Sequence, residues 1–285
     1  MIDILRSEWI KLRSVRSTLV LLLLAAVVVV LVAVLAANSL KDDTSTTCEP
    51  LPAGVTTTTT APTAIPEDGF GFDEVDCGTG FEAVEAPVEV NLTSVTGGVS
   101  FAVLLFGVLG VQVIGQEYRF NTIRPTFTAV PDRRKVLIAK LIVVALATAV
   151  VSVVMLAFCW LVGTLMVDQF AIDSVDQRVM WAIPLFAALW AGAGVGVGAI
   201  VRQPIAGILV LLGESLVLET LLAGLVERSI PWLPFSNGFQ MTLRVGETGG
   251  DGPQLRPVLE GGIYFAIVCA ALFVIGMVLA DRRDA

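Results

Sequence analysis

Histidine is absent from the 285 residues. That excludes histidine-ligated metals, Ser-His-Asp triads and Cys-His dyads. Charge is scarce: Asp, Glu, Lys and Arg make up 15% of the chain, against about 25% in a soluble domain. The shortage excludes a disordered chain and an ordinary soluble enzyme. The net charge of −8 argues against nucleic acid as a partner, because such a partner needs Lys and Arg to neutralise phosphates. Four cysteines are too few for a disulfide scaffold. No G-x-x-x-x-G-K-[ST] phosphate loop occurs, so the chain has no such cradle for ATP. No cluster of carboxylates, Cys or Ser has catalytic spacing, and no cofactor or metal is expected in this chain.

What is present is long apolar sequence. Hydrophobic residues make up 55%, and the mean hydropathy is +0.84. A bilayer-crossing helix needs roughly 20 consecutive apolar residues. Such runs occur at about 18–37, 95–115, 141–167, 179–201, 204–226 and 261–280. The first is too long for a signal peptide and lacks a clear cleavage site. The expected fold is all-α: a polytopic membrane protein with six transmembrane helices and both termini on one side.

Basic residues choose the side. Thirteen of the 18 Lys and Arg flank one face, among them Arg6, Lys11, Arg13, Arg16, Arg133, Arg134, Lys135, Lys140, Arg202 and Arg282. Five flank the other: Lys41, Arg178, Arg228, Arg244 and Arg256. The basic face is expected to be cytoplasmic, with both termini there. Most of the acids flank the opposite face.

Residues 1–17 read as a cytoplasmic amphipathic helix. Ile2, Leu5, Trp9 and Leu12 recur at helical spacing. Such a helix lies in the headgroup plane, with Trp9 at the interface and Lys11, Arg13 and Arg16 toward anionic lipid. A solvated extension is the alternative. Residues 38–94 form a long acidic outer loop. Its Thr56–Thr60 run and flanking prolines predict an unstructured middle. Cys48 and Cys77 share this loop. In an oxidising compartment they are expected to pair as a disulfide, free thiols being the alternative. Cys159 and Cys269 lie within spans and read as packing residues.

The link 116–140 joins the second and third spans. Pro125 and Pro131 break any long helix there, and Asp132 is placed to cap the helix that becomes the third span. Positive-inside anchoring explains Arg133, Arg134 and Lys135 without a partner. It does not explain Glu117 at the membrane boundary, nor the polar and aromatic stretch between the prolines. In the fourth span Gly192, Gly194, Gly196 and Gly198 make two overlapping small-xxx-small pairs. They suit close helix packing within the chain more than a dimer seam. Residues 227–260 begin with an apolar stretch broken by Pro and Gly, too short to span, which predicts an outer re-entrant or interfacial segment.

Glu214 and Glu219 lie inside the fifth span. A carboxylate at that depth costs about 2.5–3.5 kcal/mol on insertion scales. On a regular α-helix five residues turn through roughly 500°, so the two are expected in different sectors. Glu214 reads as the more buried, with Glu219 reaching water at the outer surface.

These features together resemble the type-2 permeases of ATP-binding cassette (ABC) transporters, particularly actinobacterial drug and lipid exporters. The resemblance rests on SEWIKLRSVRST at Ser7–Thr18, the QEYRFNTIRPTFTAVPDRRKVLIAK stretch, the glycine-rich fourth span with its short Arg202-Gln203-Pro204 link, and the broken segment before the sixth span. The long acidic loop departs from compact members. The resemblance implies an exporter permease without catalysis in this chain, in a bacterial plasma membrane. ATP and Mg would be bound by separate ATPase subunits, and a second permease subunit, identical or related, would complete the pathway. The coupling segment would lie at about 119–129. Glu117, Arg119, Thr122 and Arg124 would face the ATPase, with the N-terminal helix beside them. Two other readings stand: a proton-coupled carrier using Glu214, for which no inverted repeat is evident, and a non-transporting sensor or assembly protein using the Cys48–Cys77 loop.

Overall fold

The computed structural model describes residues 2–40, 44–50, 81–87, 90–123, 125, 128, 132–167, 170–243 and 255–282. Helix α1 (Ile2–Ser14) leads through Val15 into α2 (Arg16–Leu40). Strands β1 (Thr44–Pro50) and β2 (Phe81–Pro87) pair antiparallel. The short β3 (Val90–Asn91) and α3 (Leu92–Val95) precede α4 (Val99–Arg119). Then come α5 (Arg133–Met166), β4 (Phe170–Ala171), α6 (Ser174–Val201), α7 (Pro204–Leu225), the short α8 (Pro234–Phe239) and α9 (Val258–Arg282). Among the described residues, six helices are long and apolar enough to cross a membrane: α2, α4, α5, α6, α7 and α9.

The six helices match the six expected runs. Their bounds differ where charge and helix part company. Helix α5 has 34 residues, about 51 Å at 1.5 Å each, while the hydrocarbon core is about 30 Å thick. It starts at Arg133 rather than Leu141 because the Asp132 side chain accepts from the Lys135 N–H, as expected of a cap. The first two turns therefore project beyond the bilayer at the basic end. In the outer loop, the ends pair as β1 and β2, an arrangement without a signal in the sequence. The low-complexity middle lies outside the described residues.

Helix α6 is the centre of the bundle. Its glycines serve three neighbours, because alternate residues two apart face different sides. A Cβ on Gly194 would strike the Gly107 carbonyl of α4, and one on Gly198 would meet Val111 of α4. Gly196 lies against the backbone of Leu272 and Phe273 in α9, and Gly192 against Leu141 of α5. Without a water-driven force between spans, such backbone approach is what packs a membrane bundle. The glycines are thus consumed by packing within the chain.

Between α7 and α9 lie short, irregular helical turns. A 3₁₀ turn (Glu227–Trp232) leads into α8. Asn237 is fully buried. Its amide donates to the Leu233 carbonyl at 2.7 Å, and its Oδ1 accepts from the Arg256 N–H at 3.1 Å. Gln240 donates to the Arg256 carbonyl at 2.6 Å. Irregular backbone at this depth is tolerated because protein, not lipid, satisfies its polar groups. Phe235 and Phe239 of α8 stack on each other and pack on Phe186 of α6.

At the acidic end Asp176 is fully buried in the first turn of α6. It forms a capping box with Asp173, and its carboxylate also accepts from the N–H groups of Leu92 and Thr93. One side chain therefore completes the capping box of α6 and holds the end of the long loop to it.

Candidate functional site

The basic end carries a buried polar cluster built from three helices. On α1 the inward face is Leu5, Glu8 and Leu12, with Leu12 and Glu8 buried. Trp9 and Ile2 turn outward and are exposed. The expected stripe is therefore split: Leu5 and Leu12 face protein, Ile2 and Trp9 face away from it. Glu8 falls between Leu5 and Leu12 at three- and four-residue spacing, which is why it is carried inward.

Lys140 of α5 is 1% exposed. Its Nζ lies 2.6 Å from Glu8 Oε2 and 2.7 Å from Glu117 Oε1. Lys11 Nζ reaches the same two carboxylates, at 2.8 Å from Glu8 and 3.1 Å from Glu117. Two ammoniums and two carboxylates form a neutral tetrad. Burying them is costly, and only mutual pairing makes it tolerable. The tetrad ties α1 to the end of α4 and the start of α5. For Lys11, burial pulls the pKa down, but the hydrogen bond it donates to Glu8 and the charges of Glu117 and Glu8 outweigh it and hold the ammonium above its usual 10.5. A cavity of about 290 Å³ opens beside the tetrad, bordered by Ser14, Thr18, Gln116, Phe120 and Thr122.

The sequence-derived site residues gather here. Glu117 is in the tetrad. Helix α4 ends immediately after it: the Thr122 N–H donates to the Glu117 carbonyl at 3.0 Å and the Asn121 N–H to the Tyr118 carbonyl at 3.3 Å. Asn121, at φ 55°, takes the left-handed position that such a stop requires. The spacing of Glu117 and Thr122 is thus the spacing of a helix stop. It leaves Arg119 and Phe120 exposed, with the guanidinium 5.6 Å from the ring centroid. Arg124 lies outside the described residues, so the structure brings together three of the four. Two further ties close the basic end. Arg202, left-handed at φ 60°, stacks on Tyr118 at 5.1 Å. Arg134 pairs with Asp281, joining α5 to α9.

Glu8 and Lys140 were missed as site residues by sequence reasoning. Each read as one more charge at a membrane face. The available signal was Glu8 on the inward stripe of α1, and Lys140 two turns inside α5.

The two intramembrane acids meet, against expectation. Residues Gly213–Leu218 of α7 form a π turn, in which the Glu219 N–H donates to the Glu214 carbonyl five residues back. That wider turn stacks residues five apart, whereas 100° per residue separates them. That leaves the two carboxyls as near neighbours on one side of α7. Their burial is also the reverse of expectation. Glu219 is 3% exposed, while Glu214 is half-buried. Glu219 does not reach water. It accepts from the N–H groups of Phe235 and Ser236, at 2.6 and 2.7 Å, and from the Ser236 hydroxyl at 2.5 Å. It holds the start of α8 in place.

The expected Cys48–Cys77 pair lies outside the described residues: Cys48 is on β1 opposite Ala83, but its side chain and Cys77 are not described. Cys159 and Cys269 are buried free thiols, as expected. Among the described residues no group of His, Cys, Asp and Glu could hold a metal.

A family model described as "ABC-2 family transporter protein" matches residues 80–224, just over half of the chain. The matched stretch contains α4, α5, α6 and most of α7, and with them Glu117, Lys140, Glu214 and Glu219. No curated protein matches the chain.

Proposed function

The chain belongs to the ABC-2 family of transporter proteins, and from that premise we propose that it is the permease subunit of an ATP-driven exporter for a hydrophobic or amphipathic substrate. The compartment is the bacterial plasma membrane, with the basic end in the cytoplasm. ATP and Mg are bound by a separate ATPase subunit, and a second permease subunit completes the pathway.

One observation carries the docking assignment. The exposed Arg119–Thr122 turn sits on a buried tetrad that joins α1, α4 and α5. A surface that must pass force into the bundle needs such a rigid base, since a driven switch works only through contacts that differ between two states. Glu117 is buried beneath that turn and holds it to α1 and α5 through Lys11 and Lys140. The proposed contact is therefore Glu117, Arg119, Thr122 and Arg124, with α1 beside them.

The test is transport in vesicles that contain the chain and its ATPase. Transport that stops when ATP is withheld is expected. Charge reversal at Arg119 or Arg124 should leave ATP hydrolysis running while transport falls. Transport indifferent to ATP overturns the exporter reading, and normal coupling in both variants removes the docking assignment.

A second reading is favoured by Glu214, a carboxyl in the wall of an otherwise apolar cavity between α6, α7 and α9: a proton-coupled carrier. It requires that the chain alone, in vesicles, move substrate down an imposed pH gradient. No such movement without the ATPase is expected.

A further inference from the structure

Arg256 stands at the acidic end of the bundle, just before α9 begins at Val258. Its main chain is fixed on both sides: the N–H donates to Asn237 Oδ1, and the carbonyl accepts from Gln240. Both partners are buried. The side chain is fixed as well. Nε donates to the Pro231 carbonyl at 2.8 Å. The guanidinium carbon lies 4.7 Å from the ring centroid of Trp232 and 5.0 Å from that of Tyr264. The two rings stand at 84° to each other, so the guanidinium sits in an aromatic corner. The Tyr264 hydroxyl donates to the Trp232 carbonyl at 2.9 Å and ties the corner together.

The freedom of this side chain is thus spent, except at its two terminal nitrogens. Among the described residues only Nε of the guanidinium has a hydrogen-bond acceptor. Among the same residues no acid pairs with it. Glu227 on the 3₁₀ turn and Glu260 on α9 are both exposed and make no ion pair. A staple between the turn and α9 needs the Nε bond and the ring contacts. It leaves the fork of terminal N–H groups unused, and that fork is what a phosphate takes in a bidentate pair.

The surroundings say what carries the phosphate. Trp232 is 63% exposed. Leu225 and Val226 at the end of α7, and Leu259 and Ile263 in the first turns of α9, are exposed apolar side chains. On membrane-spanning helices such side chains meet lipid chains. Trp and Tyr are the residues of the bilayer interface, where headgroups lie. A soluble anion gains nothing from the apolar flank. A lipid gains from both, its phosphate on the fork and its chains along α9.

We propose that Arg256, held in the corner of Trp232 and Tyr264, binds the phosphate of a membrane lipid at the acidic end of the bundle. The site rests on the chain's place in a membrane and not on the exporter reading.

The experiment is native mass spectrometry of the full chain in detergent, titrated with dioleoylphosphatidylglycerol. No ATPase takes part, so its failure leaves the ATP-dependence of transport a separate finding. Arg256→Gln should hold one lipid fewer than the parent, with affinity at that site down about tenfold or more. Arg256→Lys, a point charge without the fork, should retain part of it. Dioleoylglycerol has the same chains without phosphate, and its binding should not distinguish Arg256→Gln from the parent. Excess inorganic phosphate should not displace the lipid. Trp232 is exposed, so its replacement leaves the core intact. Trp232→Glu puts a carboxylate beside the guanidinium and should lose the lipid, while Trp232→Gln, of equal size and uncharged, should keep more of it. Equal phosphatidylglycerol binding in the parent and Arg256→Gln overturns the proposal, as does an equal loss of dioleoylglycerol. Displacement by inorganic phosphate overturns the assignment to lipid. Should Arg256→Gln fail to fold, equal binding by Trp232→Glu and Trp232→Gln overturns the proposal as well.

Discussion

Lys140 Nζ lies 2.6 Å from Glu8 Oε2, across 132 residues of sequence and beneath the surface of the bundle. This contact fastens α1 to α5, and with Glu117 it makes α1 part of the bundle. Removing this lysine leaves two buried carboxylates to share the one remaining cation, the half-exposed Lys11. Lys140→Met is therefore expected to cost about 3–5 kcal/mol, the range for breaking a buried pair from one side. Thermal unfolding in detergent measures it. Adding Glu8→Gln and Glu117→Gln to Lys140→Met should recover a large part of the loss. A single variant as stable as the parent would contradict the tetrad.

Lys11 gives the same cluster a pH signature. Its folded-state pKa is raised above 10.5. A raised pKa contributes stability that is complete below the unfolded value and is lost as pH rises through the folded one. Protease cleavage after α1 should therefore be steady at neutral pH and accelerate only above about pH 10.5. Lys11→Met should remove part of that alkaline step. If the variant and the parent show the same alkaline rise, Lys11 is not its source.

Asp176 is expected to govern the acidic end. Asp176→Ala keeps Asp173 as the cap of α6 but removes the reciprocal half of the capping box and leaves the Leu92 and Thr93 N–H groups without their acceptor. Buried donors left unmade cost about 1–3 kcal/mol. The variant should unfold at lower temperature, and proteolysis at the end of the outer loop should quicken. Asp176→Asn, which keeps an acceptor, should lose less.

Two glycines separate packing from conformation. At Gly194 a Cβ would press on the carbonyl of Gly107, so Gly194→Ala should cost about 1–3 kcal/mol through overpacking. At Gly224 nothing lies within 4 Å of the added atom, and the residue is helical. Gly224→Ala should be neutral or stabilising by up to about 1 kcal/mol. Melting curves of the two variants side by side decide it: equal stabilisation of both would mean that helix propensity, not contact with α4, sets the effect.

The spans were legible because lipid demands long apolar runs, and nothing else in the chain resembles them. The cap at Asp132 and the broken segment before α9 were legible for similar local reasons: an acceptor before a helix, and an apolar stretch cut by Pro231 and Pro234. What could not be read was pairing at a distance. Glu8 and Lys140 are 132 residues apart, and each alone is an ordinary charge at a membrane face. Glu214 and Glu219 failed for another reason. The arithmetic of 100° per residue was sound for an α-helix, but the chain is a π turn there. Nothing in GESLVL announces one, and the departure is held by contacts that Glu219 makes with α8 rather than by its own sequence. The pairing of β1 with β2 was likewise hidden, since TSTTCEP and FEAVEAP lie on opposite sides of a long insertion.

Helix α6 meets α4 and α9 with bare backbone, through Gly194 and Gly198 on one side and Gly196 on the other. Such joints have no side-chain cushion to slide on. The three helices therefore form a single stiff plank. In the proposed transport cycle the bending is expected at its margins, in α2 and α7, whose flanks leave Leu23, Val27, Leu216 and Val217 exposed rather than wedged between helices.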